Sequence, residues 1–233
     1  MKFEWKQTSD NLQCLYHQEA FVMDMIDRYN LTDCNKSPHM LPFKRGLPVD
    51  TIPPSTLSTE DQSQVTKKYQ QLMGDLNWLS ISTRINITSI HLILSAYSHK
   101  PSREHLGSAL QVVRYCASNP SHGLLLSHKH SSSLEAFLHF PVPQDLTGFS
   151  DANWGPMDSL VPKKDTTPPE QSLICLRSIS GWIVTNHGTP VTWGCLRHKD
   201  TAQNSCQAEV HSINEVTKVL LSLKLFFRDI ALR

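Results

Sequence analysis

One short turn signal constrains the fold of this chain more than any other feature. The tetrapeptide Asn186-His187-Gly188-Thr189 separates two runs, Ile179 to Thr185 and Pro190 to Leu196, that are rich in β-branched and aromatic residues. Asn and Gly readily adopt the positive φ angles that a two-residue hairpin turn requires. The sequence therefore predicts two antiparallel strands joined by a tight turn, with the segments around Trp182 and Trp193 paired.

An acidic residue lies in a distinctive stretch on each side of this hairpin. Before it, Gly148 to Gly155 reads G-F-S-D-A-N-W-G and places Asp151 on a predicted strand from Leu146 to Trp154. After it, Ser205 to His211 reads S-C-Q-A-E-V-H and places Glu209 near the start of a predicted helix.

The helical spacing predicts where Glu209 points. This residue is four positions before Ile213 and seven before Val216, which belong to the apolar face of the helix, so its side chain should face the sheet and Asp151. Two plainer interpretations stay open at this level. Glu209 could be an acid favoured by the helix macrodipole, and Asp151 could be a turn residue that ends a strand.

The first half of the chain is predicted to be mostly helical. Thr59-x-x-Gln62 has the form of a capping box and precedes an apolar stripe that should continue as a helix to about Ser80. Apolar residues recur at helical spacing in three other segments, at Gln18 to Asn30, Ile90 to Tyr97 and Leu106 to Val113.

From Gly123 onward the pattern changes to short apolar runs between turn residues. Leu124 to Leu126 and Phe137 to Phe140 are predicted strands, and the proline-rich residues 156–172 are predicted to be an exposed inserted loop. A last helix from Gln207 to Asp229 should pack on the sheet through one face, formed by Val210, Ile213, Val216, Leu220, Leu223 and Phe227. The predicted class is α+β.

The amino-acid composition limits the class of protein but does not indicate a function. With 233 residues, 39% of them hydrophobic, the chain can bury one or two ordinary cores. The formal net charge of +1 gives no strong basic footprint of a nucleic-acid-binding protein. Six scattered cysteines without a C-x-x-C pair favour reduced thiols in an intracellular protein, cytoplasmic or nuclear and not secreted. No apolar run is long enough to span a membrane.

Together, the two acidic stretches resemble the start of an RNase H domain. Their wording is similar to that of copia-type (Ty1/copia) retroelement polyproteins, G-Y-S-D-A-D-W-A-G followed by S-S-x-E-A-E-Y. The resemblance extends upstream in the same order. Tyr69 to Leu79 resembles Y-x-x-x-x-G-x-L-x-Y-L, Thr83 to Ile87 resembles T-R-P-D-I, and further matches occur at Pro101 and His105, at Arg114-Tyr115 and at Leu15 to Val22.

The resemblance implies a domain plan and a set of site residues. Residues 1–125 would correspond to the thumb and connection of the reverse transcriptase, and residues 126–233 to a C-terminally truncated RNase H-like domain. By this resemblance, Asp151 and Glu209 would bind Mg²⁺, and the bound metal would be positioned to hydrolyse RNA in RNA–DNA hybrids. Thumb contacts to the phosphates of a template–primer or hybrid would come from Lys67, Lys68, Arg84, Arg103 and Arg114. For any one of them taken singly, an ordinary surface charge is the favoured interpretation, and Arg84 could be a structural ion-pair partner.

Several departures from the family pattern leave the activity open. No Y-x-D-D tetrapeptide, which holds the polymerase metals, occurs in the sequence, and no further acid of the RNase H site follows the last helix. Asn153 stands where the family has a second acid, and Gln207 replaces the first Glu of E-A-E. The predicted function is therefore a copia-type Pol fragment that is inactive alone. The alternatives are a non-catalytic nucleic-acid-binding remnant and a gene-prediction fragment without function.

Overall fold

A computed structural model describes residues 1–7, 12–32, 59–127, 145–153 and 177–231. The chain divides into two compact units, a helical unit of residues 1–4 and 15–124 and a sheet unit of residues 5–14 and 125–233. The described residues form five α-helices and two three-stranded sheets, so the predicted mixture of helices and strands is confirmed. The predicted strand Phe137 to Phe140 and the predicted loop 156–172 lie outside the described residues.

Four helices and a short 3-10 turn build the core of the helical unit. They are α1 (Glu19–Arg28), α2 (Thr59–Ser82), α3 (Thr88–Ser95) and α4 (Arg103–Ser118), with the 3-10 turn at Ile85–Ile87. All four were predicted from their apolar spacing. These stripes meet in one core, which includes Val22, Met25, Tyr69, Leu72, Leu76, Leu94 and Val113. The buried Tyr69 hydroxyl donates to the carbonyl of Leu94 at 2.6 Å and so avoids an unpaired polar group.

The start of α4 is fixed by a reciprocal cap. The N–H of His105 donates to Ser102 Oγ at 3.2 Å, and the N–H of Ser102 donates to His105 Nδ1 at 3.0 Å. The His105 ring also stacks on Tyr97, with centroids 4.1 Å apart. Both bonds satisfy N–H groups that have no partner within the helix. The histidine of the P-x-x-x-H segment therefore has a structural role in this protein.

The first sheet contains two strands that the sequence analysis did not predict. Strands β1 (Lys2–Gln7), β2 (Leu12–His17) and β3 (Leu124–Ser127) lie in the order β1-β2-β3. Only β3 was expected. In β1 the apolar Phe3 and Trp5 alternate with charged residues, which is the period of a strand.

The second sheet contains the predicted hairpin. Strands β4 (Thr147–Asn153), β5 (Ile179–Asn186) and β6 (Thr189–Arg197) are antiparallel in the order β4-β5-β6. The two turn residues have positive φ, 49° at His187 and 75° at Gly188, as a tight hairpin turn requires. Trp182 pairs with Gly194 and Ile183 with Trp193, so the predicted pairing is confirmed.

Helix α5 (Ser205–Ala231) packs against β4 and β5 as predicted, but only part of the predicted apolar face makes the contact. Ala208, Ser212 and Val216 are buried, whereas Val210 and Ile213 are 59% and 55% exposed. Small side chains at the contact let the helix lie close to the strand. Among the described residues, no helix has both the length and the apolarity needed to cross a membrane.

Candidate metal and nucleic-acid sites

The first turn of α5 is fixed by its own cap, which places Glu209. Asn204 Oδ1 accepts from the N–H of Gln207 at 2.8 Å, and Gln207 Oε1 accepts from the N–H of Gln203 at 2.7 Å. The helix therefore begins at Ser205, two residues before the predicted start at Gln207. Glu209 follows one turn after the cap and is half-buried.

The structure brings the helix acid next to the strand acid. The N–H of Ala152 on β4 donates to Glu209 Oε1 at 3.4 Å, and Asp151 immediately precedes Ala152 with its side chain exposed. Standard bond lengths keep the Asp151 carboxylate within about 6 Å of the Ala152 nitrogen, so the two carboxylates lie within roughly 10 Å of each other.

A second side chain of α5 contacts the same place on β4. Ser212 Oγ donates to the carbonyl of Asp151 at 2.9 Å, and Ser212 is completely buried. The sequence analysis did not identify this residue. Its only signal was its position three residues after Glu209, which puts both side chains on one helix face.

Two carboxylates are a partial ligand set for a hard divalent cation. Mg²⁺ prefers carboxylate oxygens and usually keeps several water ligands, which suits the chemistry of Asp151 and Glu209. Among the described residues, no group of three or more His, Cys, Asp and Glu side chains could hold a metal ion. The described protein groups thus offer a cation two acidic side chains here.

A buried serine and histidine lie beside α5. Ser180 Oγ is 2.5 Å from His198 Nε2, and the His198 ring lies 5.2 Å from that of His211 on α5. Burial lowers the pKa of His198, the charge of His211 lowers it further, and Glu215 opposes the shift. These surroundings favour the neutral form of the His198 imidazole, which packs between the helix and the sheet.

Three of the five predicted phosphate-binding cations are exposed on neighbouring helices. Lys67 and Lys68 lie on α2, and Arg103 lies in the first turn of α4. Gln62 Nε2 donates to the carbonyl of Pro101 at 2.8 Å and ties the start of α2 to the residues just before α4. These three side chains are therefore available to an external anion.

Arg84 is placed differently from the other basic residues. It is only 1% exposed, and its Nη2 donates to the carbonyls of Asn119 at 2.5 Å, Pro120 at 3.1 Å and Cys116 at 3.3 Å. These carbonyls belong to the C-terminal end of α4, where a cation is favoured by the helix dipole. Burial lowers the pKa of Arg84. The position favours a structural role, with carbonyls as the partners, over a phosphate contact.

Arg114, the fifth predicted cation, is half-buried on α4, where its Nη1 donates to Gln111 Oε1 at 3.4 Å. Two polar contacts nearby join segments that are distant in sequence. Thr83 Oγ1 donates to Gln18 Oε1 at 2.7 Å, and Asn86 Nδ2 donates to the Tyr115 hydroxyl at 2.8 Å. Three segments that the motif resemblance identified therefore meet inside the helical unit, around residues 18, 83–87 and 114–116.

Comparisons with known proteins identify the class to which the chain is related. The chain is 25% identical over 204 residues to the retrovirus-related Pol polyprotein from transposon RE2 of Arabidopsis thaliana. This alignment covers 87% of the chain and 12% of that polyprotein. The chain is also 22% identical over 233 residues to the retrovirus-related Pol polyprotein from transposon TNT 1-94 of Nicotiana tabacum. That alignment covers 100% of the chain and 15% of the polyprotein. The chain is thus a homologue of the Pol polyproteins of copia-type transposons, and the resemblance seen in its motifs is confirmed.

A shorter relative shares part of the same region. The chain is 23% identical over 151 residues to the secreted RxLR effector protein 161 of Plasmopara viticola, covering 64% of the chain and 87% of that protein. No protein-family profile matches the sequence. No solved structure matches its fold.

Proposed function

We propose that the chain is a segment of a copia-type Pol polyprotein that joins the end of a reverse transcriptase to an RNase H-like domain. Residues 1–125 would supply the thumb and connection, and residues 126–233 the RNase H-like part. The support is the similarity to Pol polyproteins over most of the chain, together with the order of its elements. After strands β1 and β2 come four helices, and an antiparallel sheet covered by a helix follows.

The observation that carries the RNase H assignment is the contact between α5 and β4. Glu209 accepts from the N–H of Ala152 at 3.4 Å, directly beside Asp151. We assign Asp151 and Glu209 as the residues that would hold Mg²⁺. When bound, such an ion supplies Lewis-acid stabilisation for phosphodiester hydrolysis in an RNA–DNA hybrid. The protein groups contribute by holding the two carboxylates on a rigid strand and the first turns of a packed helix.

We further propose that the chain has little or no catalytic activity alone. No Y-x-D-D tetrapeptide occurs in its 233 residues, so the proposed polymerase metals have no ligands here. Two carboxylates leave a pair of divalent ions poorly coordinated, because both ions must be held about 4 Å apart at the phosphodiester.

The test uses the purified chain with Mg²⁺ or Mn²⁺, a labelled RNA–DNA hybrid and a primed template. We expect no primer extension and weak or no hybrid cleavage. Asp151→Asn is the matched control, since it removes one charge and preserves the shape of the side chain. Robust cleavage that this substitution abolishes would show that the chain is an active nuclease and that another acid completes the site.

A second candidate function is non-catalytic binding of a hybrid or template–primer. The observation that favours it is the exposure of Lys67, Lys68 and Arg103 on two helices that contact each other. Cations that neutralise phosphates release counterions, so affinity should fall steeply with salt. The Lys67→Ala, Lys68→Ala double variant should bind a labelled hybrid more weakly and with a smaller salt slope.

The matched control for that experiment removes the same charge elsewhere. Lys199 and Lys224 are exposed in the sheet unit, so their double alanine variant has the same net charge as the Lys67 and Lys68 variant. Equal loss of affinity in both double variants would indicate nonspecific attraction and would contradict an interface on α2.

The last alternative is a gene-prediction fragment without a folded function. It predicts poorly dispersed amide NMR signals, whereas the cores around α2 and β5 predict well-dispersed ones. The compartment is also a proposal. Cys14, Cys116, Cys195 and Cys206 are free thiols, which fits a reducing cytoplasm or nucleus. The name of the Plasmopara viticola relative describes a secreted protein, so fractionation of expressing cells would decide between the two locations.

A further inference from the structure

Two side chains of one helix hold opposite ends of one peptide group. The peptide between Asp151 and Ala152 receives a bond from Ser212 Oγ at its carbonyl, at 2.9 Å, and donates its N–H to Glu209 Oε1, at 3.4 Å. The carbonyl and the N–H of a trans peptide point in opposite directions. Two contacts to one peptide therefore fix which residues of β4 lie opposite the first turns of α5.

The spacing along α5 makes Ser212 and Glu209 act together. They are three residues apart, so they lie on neighbouring positions of one face, about 4.5 Å apart along the axis. Ser212 is completely buried, whereas Glu209 is only half-buried. The serine is thus the enclosed anchor, and the carboxylate lies at the edge of the contact, where solvent ions have access.

The next turns of α5 rest on a glycine of the same strand. A Cβ added to Gly148 would lie 2.7 Å from Val216 Cγ2 and 2.8 Å from Leu220 Cδ1, closer than real Cβ contacts. Only a residue without a side chain lets the helix lie this near to β4. The depth of the helix is therefore set at Gly148, and its register is set at Asp151.

We propose that Ser212 is a positioning residue that holds the Glu209 carboxylate within reach of Asp151, so that both can share one divalent cation. This inference rests on the proposed function, because it assumes that the two acids form a metal site. Ser212 does not touch the ion itself. It acts through the Asp151 carbonyl, which ties the strand acid and the helix acid to one rigid element.

The test measures Mn²⁺ affinity by electron paramagnetic resonance and the hydrogen-exchange rate of the Ala152 amide in the metal-free chain. Ser212→Ala should weaken Mn²⁺ binding about tenfold, the order typical for losing a partner that orients a metal ligand. It should also speed exchange of the Ala152 amide, because Glu209 no longer covers it. Ser212→Thr, which keeps the hydroxyl, should restore most of the affinity.

Two controls separate positioning from general stability. Ser222→Ala removes a hydroxyl of the same helix that bonds to the carbonyl of Lys218, at 3.0 Å. Val184→Ala opens space in the fully buried centre of β5, at the residue that pairs with Gly148, and should lower stability without removing either bond to the Asp151 peptide. Neither substitution should change the Mn²⁺ affinity.

The outcomes distinguish this proposal from the one it rests on. If Asp151→Asn and Glu209→Gln abolish Mn²⁺ binding but Ser212→Ala binds like the wild type, the positioning role is wrong and the metal site stands. If Val184→Ala weakens binding as much as Ser212→Ala, stability alone explains the effect and the positioning role is again wrong. If the wild type binds Mn²⁺ no better than Asp151→Asn, both proposals are overturned.

Discussion

The indole ring of Trp182 lies directly over Gly194 on the neighbouring strand. The two residues are paired across β5 and β6, and a Cβ added to Gly194 would lie 2.5 Å from Trp182 Cζ2 and 2.8 Å from Cε2. A rigid aromatic ring cannot yield as the tip of a flexible side chain can. The glycine is therefore part of how the hairpin packs its tryptophan.

Gly194→Ala should destabilise the sheet unit by about 1–3 kcal/mol, because the added methyl forces Trp182 out of its position. The measurement is urea unfolding followed by tryptophan fluorescence. Gly181→Ala is the matched control, since Gly181 lies on the paired strand and a Cβ there would meet no atom within 4 Å. A Gly194→Ala variant as stable as Gly181→Ala would contradict the packing described for Trp182.

Arg84→Met should destabilise the helical unit by at least about 2 kcal/mol. The substitution keeps the side-chain length but leaves the carbonyls of Cys116, Asn119 and Pro120 without the guanidinium that bonds them. Chemical unfolding followed by circular dichroism gives the measurement. Arg103→Met, on an exposed residue, should change stability by less than about 0.5 kcal/mol. Similar small losses in both variants would mean that the Arg84 bonds contribute little.

Ser102→Ala should cost about 1 kcal/mol of helical-unit stability, because it removes the side chain that caps α4. Ser102→Asp should retain most of the stability, since a carboxylate can accept from the N–H of His105 in place of the hydroxyl. Thermal unfolding of both variants provides the comparison. A Ser102→Asp variant that loses as much as Ser102→Ala would show that burial of the residue, and not capping, decides its effect.

Much of the fold followed from local patterns. The apolar stripes of α2 and α4 and the Asn186 to Thr189 turn are signals that a few adjacent residues carry, and the structure confirms each of them. Strands β1 and β2 were missed although Phe3 and Trp5 alternate with charged residues. Strand β1 pairs with β2 close by in sequence, but β2 also pairs with β3 beyond the four helices, and no local pattern records that distant partner.

The contacts of the last helix show the same limit. The predicted face includes Val216, which packs on the sheet beside Ala208 and Ser212, but also Val210 and Ile213, which are exposed. That choice depends on Gly148 in another element, which admits the helix closely. The acidic residues could be proposed from motif wording alone. The hydrogen bond of Ser212 could not be predicted in this way, because its partner is a backbone carbonyl sixty-one residues away in sequence.

The sheet unit should lose stability as the pH falls below about 6.5, in part through His198. Burial, aided by His211, lowers the pKa of His198 from its ordinary value of 6.5. The unfolded chain therefore binds a proton more readily than the folded one, and stability rises with pH between the two pKa values. The contribution of His198 is complete above pH 6.5, decreases as the pH falls through the folded pKa, and stays constant below it.

His198→Gln should flatten this dependence, because a glutamine cannot take up the proton that favours unfolding. The measurement is the urea midpoint of the sheet unit, followed by tryptophan fluorescence at intervals between about pH 7 and pH 5. Glu4 and Glu104, whose pKa values are lowered from 4.5, contribute in the same direction only at more acidic pH, so they do not confuse the comparison. A wild type and a His198→Gln variant with the same slope would show that the buried imidazole does not couple protonation to the stability of the sheet.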